Sequence, residues 1–431
     1  MARAVHTPSQ KPKVAAIATV WKRPVAHAET MIPKLLAGYD LDGVPVYPSV
    51  QVVSIYVDQF PESDVSRRWA ARFDIPIMGT IRDALTRGGD TLAVDAVLIV
   101  GEHGDYPWNE KGQHLYPRRR LFEESVRVMR ESGRVVPLFS DKHFSYTWEN
   151  AKWMHDTARE LGMPFMAGSS LPVTFRKPDL DLPLGVEIEE ALVLSNGPTE
   201  SYGFHALETL QCMVERRIGG EIGVAAVELL HGDAFWRAWD DGRYPQDLYA
   251  AVLATCDRAD GGVRDYYRGR PPSPPTSVPG PHAPVAFLVE YRDGLRATLL
   301  NLGGYSKDFA FGARLSPGSV AALDTSPARV AGSNLVATAF KLERTASHWH
   351  FNYLMHHVEQ FFKTGKSPYP VERTLLTTGT LAALMDSGQA GRRLETPHLD
   401  VRYQSPAEPW SRCHGVSISR EQVWGFKPED V

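Results

Sequence analysis

Cysteine is scarce in this chain of 431 residues. The three cysteines, Cys212, Cys256 and Cys413, are far apart, and none belongs to a Cys-x-x-Cys pair. Disulfide frameworks and thiolate metal sites both need cysteines at paired spacings, so the sequence indicates neither. We therefore expect a protein of the reducing cytoplasm.

The chain also lacks an excess of basic charge and any long apolar run. Its 47 lysines and arginines are balanced by 51 aspartates and glutamates, for a formal net charge of -4. This balance gives no electrostatic footprint for nucleic acid or for an anionic membrane. No stretch reaches the roughly 18 apolar residues of a membrane span, and the short run Val14–Val20 predicts a strand rather than a signal peptide. We expect neither a nucleic acid nor a membrane as partner.

The first part of the chain alternates short apolar runs with segments of helical periodicity. Apolar runs bounded by turn residues are typical of parallel strands buried on both faces, and the alternation implies βαβ units. We predict a Rossmann-like, doubly wound parallel sheet over residues 1–171, followed by a second domain over residues 172–431, because one core rarely serves a chain of this length. The predicted strands are Val14–Val20, Val52–Val57, Ile75–Met78, Ala96–Val100, Val135–Phe139 and Phe165–Gly168. The predicted helices are His27–Leu36, Asp64–Arg72, Ile81–Arg87, Pro117–Ser132 and Thr147–Leu161.

The second domain has longer predicted strands, at Val186–Leu194, Val224–Leu230, Val285–Tyr291 and Leu295–Leu300, with a hairpin turn between the last two. This pattern predicts an α+β domain with an open, mixed or antiparallel sheet and helices on one face. The free face of such a sheet often binds another subunit, so we predict a homo-oligomer through it.

Two further segments of this domain carry predictions. The stretch from Arg268 to Pro284 is rich in proline, glycine and serine, which predicts a surface loop. The segment Trp349–Lys363 has apolar residues at helical spacing and predicts a helix that buries Phe351, Leu354, Val358 and Phe362. The stretch after Pro409 is predicted to pack back as an irregular tail.

Ligands of a doubly wound sheet bind beyond the carboxyl ends of its strands, so the residues there are the first site candidates. Asp58 follows the second strand, where a carboxylate accepts hydrogen bonds from a ribose hydroxyl. The fourth and fifth strands are followed by unusually polar segments. The candidates at the strand ends are Thr19, Asp58, Gly101, Glu102, His103, Asp141, Lys142 and His143.

The order of these elements resembles the Gfo/Idh/MocA oxidoreductase family over about residues 13 to 402. Asp141-Lys142-His143 stands where that family reads Glu-Lys-Pro, and Tyr202-Gly203-Phe204-His205 resembles its Asp-x-Gly-x-His segment. The closing segment Phe361 to Pro368, with the helix after it, is similar to the family's C-terminal pattern. The resemblance implies that Lys142 lies at the reaction centre and that His205 is an acid/base, and we add Asp141 and His103 as catalytic candidates. It also implies NAD or NADP, for which we predict contacts at Thr19, Asp58, Gly101 and Glu102.

The turn after the first strand departs from this family. It reads Thr19-Val20-Trp21-Lys22-Arg23-Pro24 and contains no glycine, whereas glycine lets the backbone approach a pyrophosphate. We predict that a dinucleotide binds weakly or in a shifted pose. Ser201 stands where the family has its aspartate, and His143 where it has proline.

These features support two functions. The first is hydride transfer between a nicotinamide cofactor and a carbinol of a sugar, cyclitol or related polyol, with Lys142 and His205 sharing the acid/base work. The second is a dinucleotide-independent lyase, isomerase or hydrolase on the same fold. Such an enzyme could use a divalent metal held by Glu102, His103, Asp141, His143 or His205. Imidazole and carboxylate ligands suit Zn, Mn or Fe. A catalytically silent sensor is a weaker third hypothesis. In either enzyme the partner is a polar small molecule.

Overall fold

A computed structural model describes residues 11–24, 26–269, 283–323, 325–342, 348, 350–409 and 411–431 of the chain. Its strands are β1 (Lys13–Val20), β2 (Tyr39–Leu41), β3 (Val44–Val46), β4 (Gln51–Gln59), β5 (Ala96–Val100), β6 (Leu138–Asp141), β7 (Phe165–Gly168), β8 (Phe175–Lys177), β9 (Ile188–Ser195), β10 (Val224–His231), β11 (Val285–Tyr291), β12 (Arg296–Asn301), β13 (Phe309–Leu315), β14 (Leu335–Lys341) and β15 (Leu394–Glu395). Its helices are α1 (His27–Ala37), α2 (Ser66–Arg72), α3 (Ile81–Thr86), α4 (Arg118–Glu131), α5 (Trp148–Glu160), α6 (Thr199–Val214), α7 (Gly232–Asp240), α8 (Gln246–Leu253), α9 (Val263–Tyr267), α10 (Pro317–Ala321), α11 (His350–Thr364), α12 (Glu372–Ala390) and α13 (Arg420–Trp424).

The N-terminal sheet is parallel and has the order β4-β1-β5-β6-β7. Helices cover both of its faces, so its central strands are buried along nearly their whole length, which explains their continuous apolar runs. The predicted doubly wound sheet is confirmed. The predicted strand Ile75–Met78 is wrong: it is reduced to one bridge between Ile77 and Ile55, because Pro76 has no N–H to extend the pairing.

The second sheet has the order β15-β10-β11-β12-β9-β13-β14-β8. The β9 and β12 strands pair in parallel and their other neighbours pair antiparallel, so the predicted mixed sheet is confirmed. The hairpin between β11 and β12 turns at Gly294, whose φ of 91° is a conformation that glycine adopts without strain. Sequence reasoning missed β13 and β14, which complete the sheet.

Helices cover both faces of this second sheet, so the prediction of helices on one face is wrong. On the inner face lie α6 and α12. On the outer face α7 and α8 pack Phe235, Leu248 and Val252 against the sheet. Gly312 permits this approach, since a Cβ there would lie 2.4 Å from Cγ2 of Val252.

The rest of the outer face is charged. A cavity of about 470 Å³ there is lined mainly by polar and charged residues, among them Glu190, Arg296 and Arg314. The face on which we predicted a second subunit is therefore partly covered by the chain's own helices and partly charged. The homo-oligomer remains a prediction.

The C-terminal part of the chain returns to the N-terminal sheet. Helix α11 packs against α1, and the four predicted core positions Phe351, Leu354, Val358 and Phe362 are all buried. The predicted tail after Pro409 also packs against the N-terminal domain, where Trp424 and Phe426 contact Trp69 of α2. Trp349 and residues 270–282 of the predicted loop lie outside the described residues. None of the described helices is long and apolar enough to cross a membrane.

A buried ionic network fixes α6, the helix that carries His205. The fully buried Glu208 accepts hydrogen bonds from Arg373 at 3.3 Å and from Thr377 at 2.9 Å, both on α12. Glu215, one residue beyond the end of α6, accepts a hydrogen bond from Tyr403 at 2.8 Å. Burial raises the pKa of Glu215 to about 7, although the Arg373 cation opposes the shift.

This network predicts a pH dependence of stability. A carboxyl group with a raised pKa in the folded state contributes stability below its unfolded pKa and loses it as pH rises through about 7. We expect the free energy of unfolding of the wild type to fall between about pH 5 and pH 8.5, and that of Glu215→Gln to fall less over this range. Denaturant unfolding at both pH values measures the difference. Equal pH dependence in the two proteins would contradict the prediction.

Candidate active site

The carboxyl ends of β6 and β7 and the first half of α6 meet at one buried place. Here Nζ of Lys142 is hydrogen-bonded to Nε2 of His205, and Nδ1 of His205 lies 2.6 Å from Oγ of Ser169. Lys142 and His205 are only 3% and 8% exposed. The structure thus brings the two residues that sequence reasoning placed at the reaction centre into direct contact, while their catalytic roles remain a prediction.

The protonation of His205 follows from its surroundings. Burial, followed by the charges of Lys142 and His27, holds its pKa well below the usual value. The imidazole is therefore neutral at neutral pH, and its tautomer is assigned from the hydrogen bonds. Nε2 accepts from the Lys142 ammonium, and Nδ1–H donates to Ser169 Oγ.

A chain of buried charges balances the Lys142 ammonium. Oε1 of Glu102 lies 3.9 Å from Lys142 Nζ, and Oε2 of Glu102 accepts a hydrogen bond from Arg118. Burial alone raises the pKa of Glu102, but the Lys142 and Arg118 cations outweigh it and hold the pKa well below its usual value. Glu102 is therefore a carboxylate, and the buried cation has a counterion.

The chain of charges extends beyond Arg118. Its Nη1 lies 3.2 Å from Nε2 of His143, and the same imidazole nitrogen lies 3.2 Å from Oε1 of Glu200. Gly101 makes room for Arg118, since a Cβ there would lie 2.7 Å from Cγ of the arginine. Arg118 and its partners thus fix the loop after β5 against α6.

Two site residues have left-handed backbone conformations. Lys142 has φ of 72° and His103 has φ of 68°, a region that non-glycine residues rarely adopt and that is frequent at functional sites. Burial, together with the charge of His27, lowers the pKa of His103 to about 4. Its Nε2 is buried and has no hydrogen-bond partner within the described part of the chain.

Three of the candidate metal ligands are each paired with another side chain of the protein. Glu102 pairs with Arg118, His143 with Glu200, and Asp141 with His27, whose Nδ1 lies 2.6 Å from Oδ2 of the carboxylate. Among the described residues, no three histidine, cysteine, aspartate or glutamate side chains are grouped so that they could hold a metal ion. The metal set therefore remains a prediction.

The turn where a Rossmann-like sheet holds a pyrophosphate is filled by the chain itself. Trp21 is fully buried and stacks on Trp69, and both indoles donate to Oε2 of Glu29, at 2.6 and 2.9 Å. Arg23 donates to the other oxygen of Glu29 at 2.7 Å. A buried carboxylate in the first turn of α1 repels a pyrophosphate, and the buried Trp21 replaces the glycine that would let the backbone approach one. Thr19 is also buried, and its hydroxyl donates to the Glu102 carbonyl at 2.8 Å.

Asp58, the predicted ribose ligand, is also paired with side chains of the chain itself. Both carboxylate oxygens of Asp58 accept from Arg120 at 2.7 Å, and each accepts one tyrosine hydroxyl at 2.6 Å, from Tyr56 and Tyr106. The loop that carries Tyr106 is held by two hydrogen bonds between Gln59 and Asp105. The residues present do not fit a dinucleotide in the pose that glycine-rich turns bind.

Sequence reasoning missed several residues of this site. The sequence assigned no role to Ser169, Arg118 or Glu200. His27 carried no signal, because a histidine at the start of a helix is common. Their partners are distant in sequence, so local patterns do not pair them.

The pairing of Glu102 with Arg118 predicts a large stability effect. Glu102→Gln leaves the buried Arg118 without its counterion, so we expect a loss of about 3–5 kcal/mol in the free energy of unfolding. Denaturant unfolding measures it, with Glu124→Gln, at the partly exposed ion pair with Arg120, as the control. A loss below about 1 kcal/mol for Glu102→Gln would show that the Arg118 charge is solvated.

No protein-family model and no curated protein sequence matches the chain. The structure resembles that of GenD2 from gentamicin A biosynthesis, determined with NAD, with a TM-score of 0.53 and 12% identity over 92% of this chain and 99% of that one. It also resembles apo scyllo-inositol dehydrogenase from Lactobacillus casei, with a TM-score of 0.51 and 9% identity over 90% and 99% of the two chains. At these identities the likeness shows the fold: a Rossmann-like domain followed by an α+β domain, as the resemblance to the Gfo/Idh/MocA oxidoreductases predicted.

Proposed function

We propose that the chain is a cytoplasmic oxidoreductase that acts on a hydroxyl-bearing carbon of a sugar, cyclitol or related polyol. The observation that carries the proposal is the contact between Lys142 and His205 at the carboxyl edge of the parallel sheet. GenD2 was determined with NAD, and the second similar structure is named as a dehydrogenase of scyllo-inositol. The first likeness supports a nicotinamide cofactor, and the second supports a redox reaction on a small polyol.

Lys142 and His205 supply proton transfer at the reacting hydroxyl in this proposal. An ammonium that donates to a neutral imidazole can give a proton to a developing alkoxide or, once deprotonated, accept one from an alcohol. Ser169 keeps His205 in one tautomer, and Glu102 stabilises the cationic form of Lys142. Proton transfer therefore has a donor, an acceptor and a fixed geometry before the substrate binds.

The redox version also needs NAD or NADP, and its binding must differ from the usual one. Glu29, bound by Trp21, lies in the first turn of α1, where a pyrophosphate is usually bound, and Tyr106 donates to Asp58, the predicted ribose ligand. We propose that the dinucleotide binds in a shifted pose. NAD and NADP are not distinguished, since Asp58 is already bound by Arg120.

The contact between Lys142 and His205 also favours a second candidate function. If the filled turn excludes a dinucleotide, Lys142 and His205 catalyse a reaction without net oxidation, such as an isomerisation or an elimination. Proton transfer alone suffices for those reactions.

Calorimetry with NAD and NADP, followed by turnover on a panel of inositols and aldoses, tests the proposal. We expect micromolar binding of one dinucleotide and its reduction by a member of the panel. Lys142→Met should lower kcat by at least about 10³-fold with little change in stability, because it removes the ammonium and keeps the apolar stem.

Lys152→Met, at an exposed ion pair on α5, is the matched control and should keep full turnover. Binding of neither dinucleotide would reject the redox proposal in favour of the second candidate. Full turnover by Lys142→Met would reject the assigned role of Lys142 in both.

A further inference from the structure

The first residue of α1 is a histidine held by a buried carboxylate. Nδ1 of His27 lies 2.6 Å from Oδ2 of Asp141, which ends β6 directly before Lys142. The Asp141 side chain is 1% exposed, whereas that of His27 is 16% exposed. The carboxylate therefore holds Nδ1 from the protein side and leaves Nε2 of His27 as the nitrogen that a ligand can reach.

His27 lies among the groups of the candidate active site. Its ring centroid is 5.4 Å from that of His103. After burial and the neighbouring cations, the protonated form of His27 also lowers the pKa values of Glu102 and His205. It thus faces the same buried place as the Lys142 and His205 pair.

The altered turn after β1 is related to the position of His27 at the start of α1. In a dinucleotide-binding sheet the first turn of this helix faces a pyrophosphate. Here that turn carries the buried Glu29, bound by Trp21, and the helix begins with the His27 side chain directed at Asp141. The change that removes the phosphate site therefore also places a proton carrier beside Lys142.

We propose that His27, oriented by Asp141, is a second catalytic acid/base of this site and removes a proton from the carbon next to a ketone of the bound polyol. The proposal rests on the proposed function in one respect: the ligand is a sugar or cyclitol, here in its keto form. It goes beyond that function because it assigns the removal of the carbon proton to a third residue, His27. Asp141 is a positioning residue in this scheme.

The proton transfers balance without an oxidant. His27 Nε2 takes the proton from the α-carbon, so a C–H bond breaks and an N–H bond forms. The electron pair of that bond becomes the C=C bond of an enediol, and the carbonyl oxygen takes a proton from the Lys142 ammonium. Return of both protons restores the ketone. The isomeric carbonyl compound forms instead when the His27 proton goes to the former carbonyl carbon and the hydroxyl of the former α-carbon gives its proton to the Lys142 amine.

A carboxylate behind an imidazole has a defined effect on this chemistry. It fixes the tautomer with Nδ1 protonated, leaves the lone pair of Nε2 for the substrate, and stabilises the imidazolium that forms. An amide in its place keeps the shape but loses this stabilisation. Asp141→Asn therefore removes the effect of the negative charge on His27 and keeps the packing of the side chain.

Hydrogen exchange tests the inference directly. The probe is 2-keto-myo-inositol in D₂O without any nucleotide, and proton NMR follows the loss of the signals of the carbons beside the ketone. We expect the wild type to exchange these hydrogens faster than buffer. His27→Gln should lower the rate at least about 10²-fold and Asp141→Asn by a similar factor, while the control His231→Gln, at an exposed histidine of β10, should leave it unchanged.

The outcomes separate this inference from the proposed function. Wild-type protein that does not exchange the probe overturns the role of His27, even when it oxidises inositols with NAD. Exchange that survives in His27→Gln overturns it as well. Loss of exchange in His27→Gln with normal circular dichroism supports it, and oxidation that persists in the same variant leaves the oxidoreductase proposal standing.

Discussion

The buried ammonium of Lys142 is the constraint on which the rest of the site depends. A cation in a protein interior is costly unless it has both a counterion and hydrogen-bond acceptors. Glu102 supplies the charge and His205 the acceptor, and each is fixed by a further partner, Arg118 and Ser169. The ionic network of Glu208 and Arg373 in turn fixes α6, so the position of His205 is set by groups far from the reaction centre.

The same edge of the sheet also differs from a dinucleotide-binding sheet. The turn after β1 and the loop after β5 contain bulky and charged side chains at the positions where a dinucleotide is usually held. These groups satisfy one another, since Glu29 and Asp58 accept hydrogen bonds from neighbouring indoles, tyrosines and arginines. The altered turn is therefore a stable structure in its own right, and it is consistent with either a shifted cofactor or none.

The sequence predicted what local patterns encode and missed what depends on distant partners. Buried parallel strands such as Ala96–Val100 have continuous apolar runs, so the first sheet was predicted nearly strand by strand. Lys142 and His205 were found through the order of elements. The roles of Arg118 and His27 were not, because each acquires its role from a residue that is far away in the chain. The helices on the outer face of the second sheet were missed as well, although Gly312 marks the place where one of them packs closely.

Nitrogen-15 NMR of histidine-labelled protein tests the central claim most directly. The account predicts that His205 is neutral at neutral pH, with Nδ1 protonated and Nε2 as a hydrogen-bond acceptor, and stays neutral where an ordinary imidazole is half protonated, because burial and the Lys142 charge hold its pKa low. In Lys142→Met the Nε2 signal should shift and the imidazole should become protonated at higher pH. A doubly protonated His205 at neutral pH in the wild type, or a tautomer with the proton on Nε2, would contradict the account.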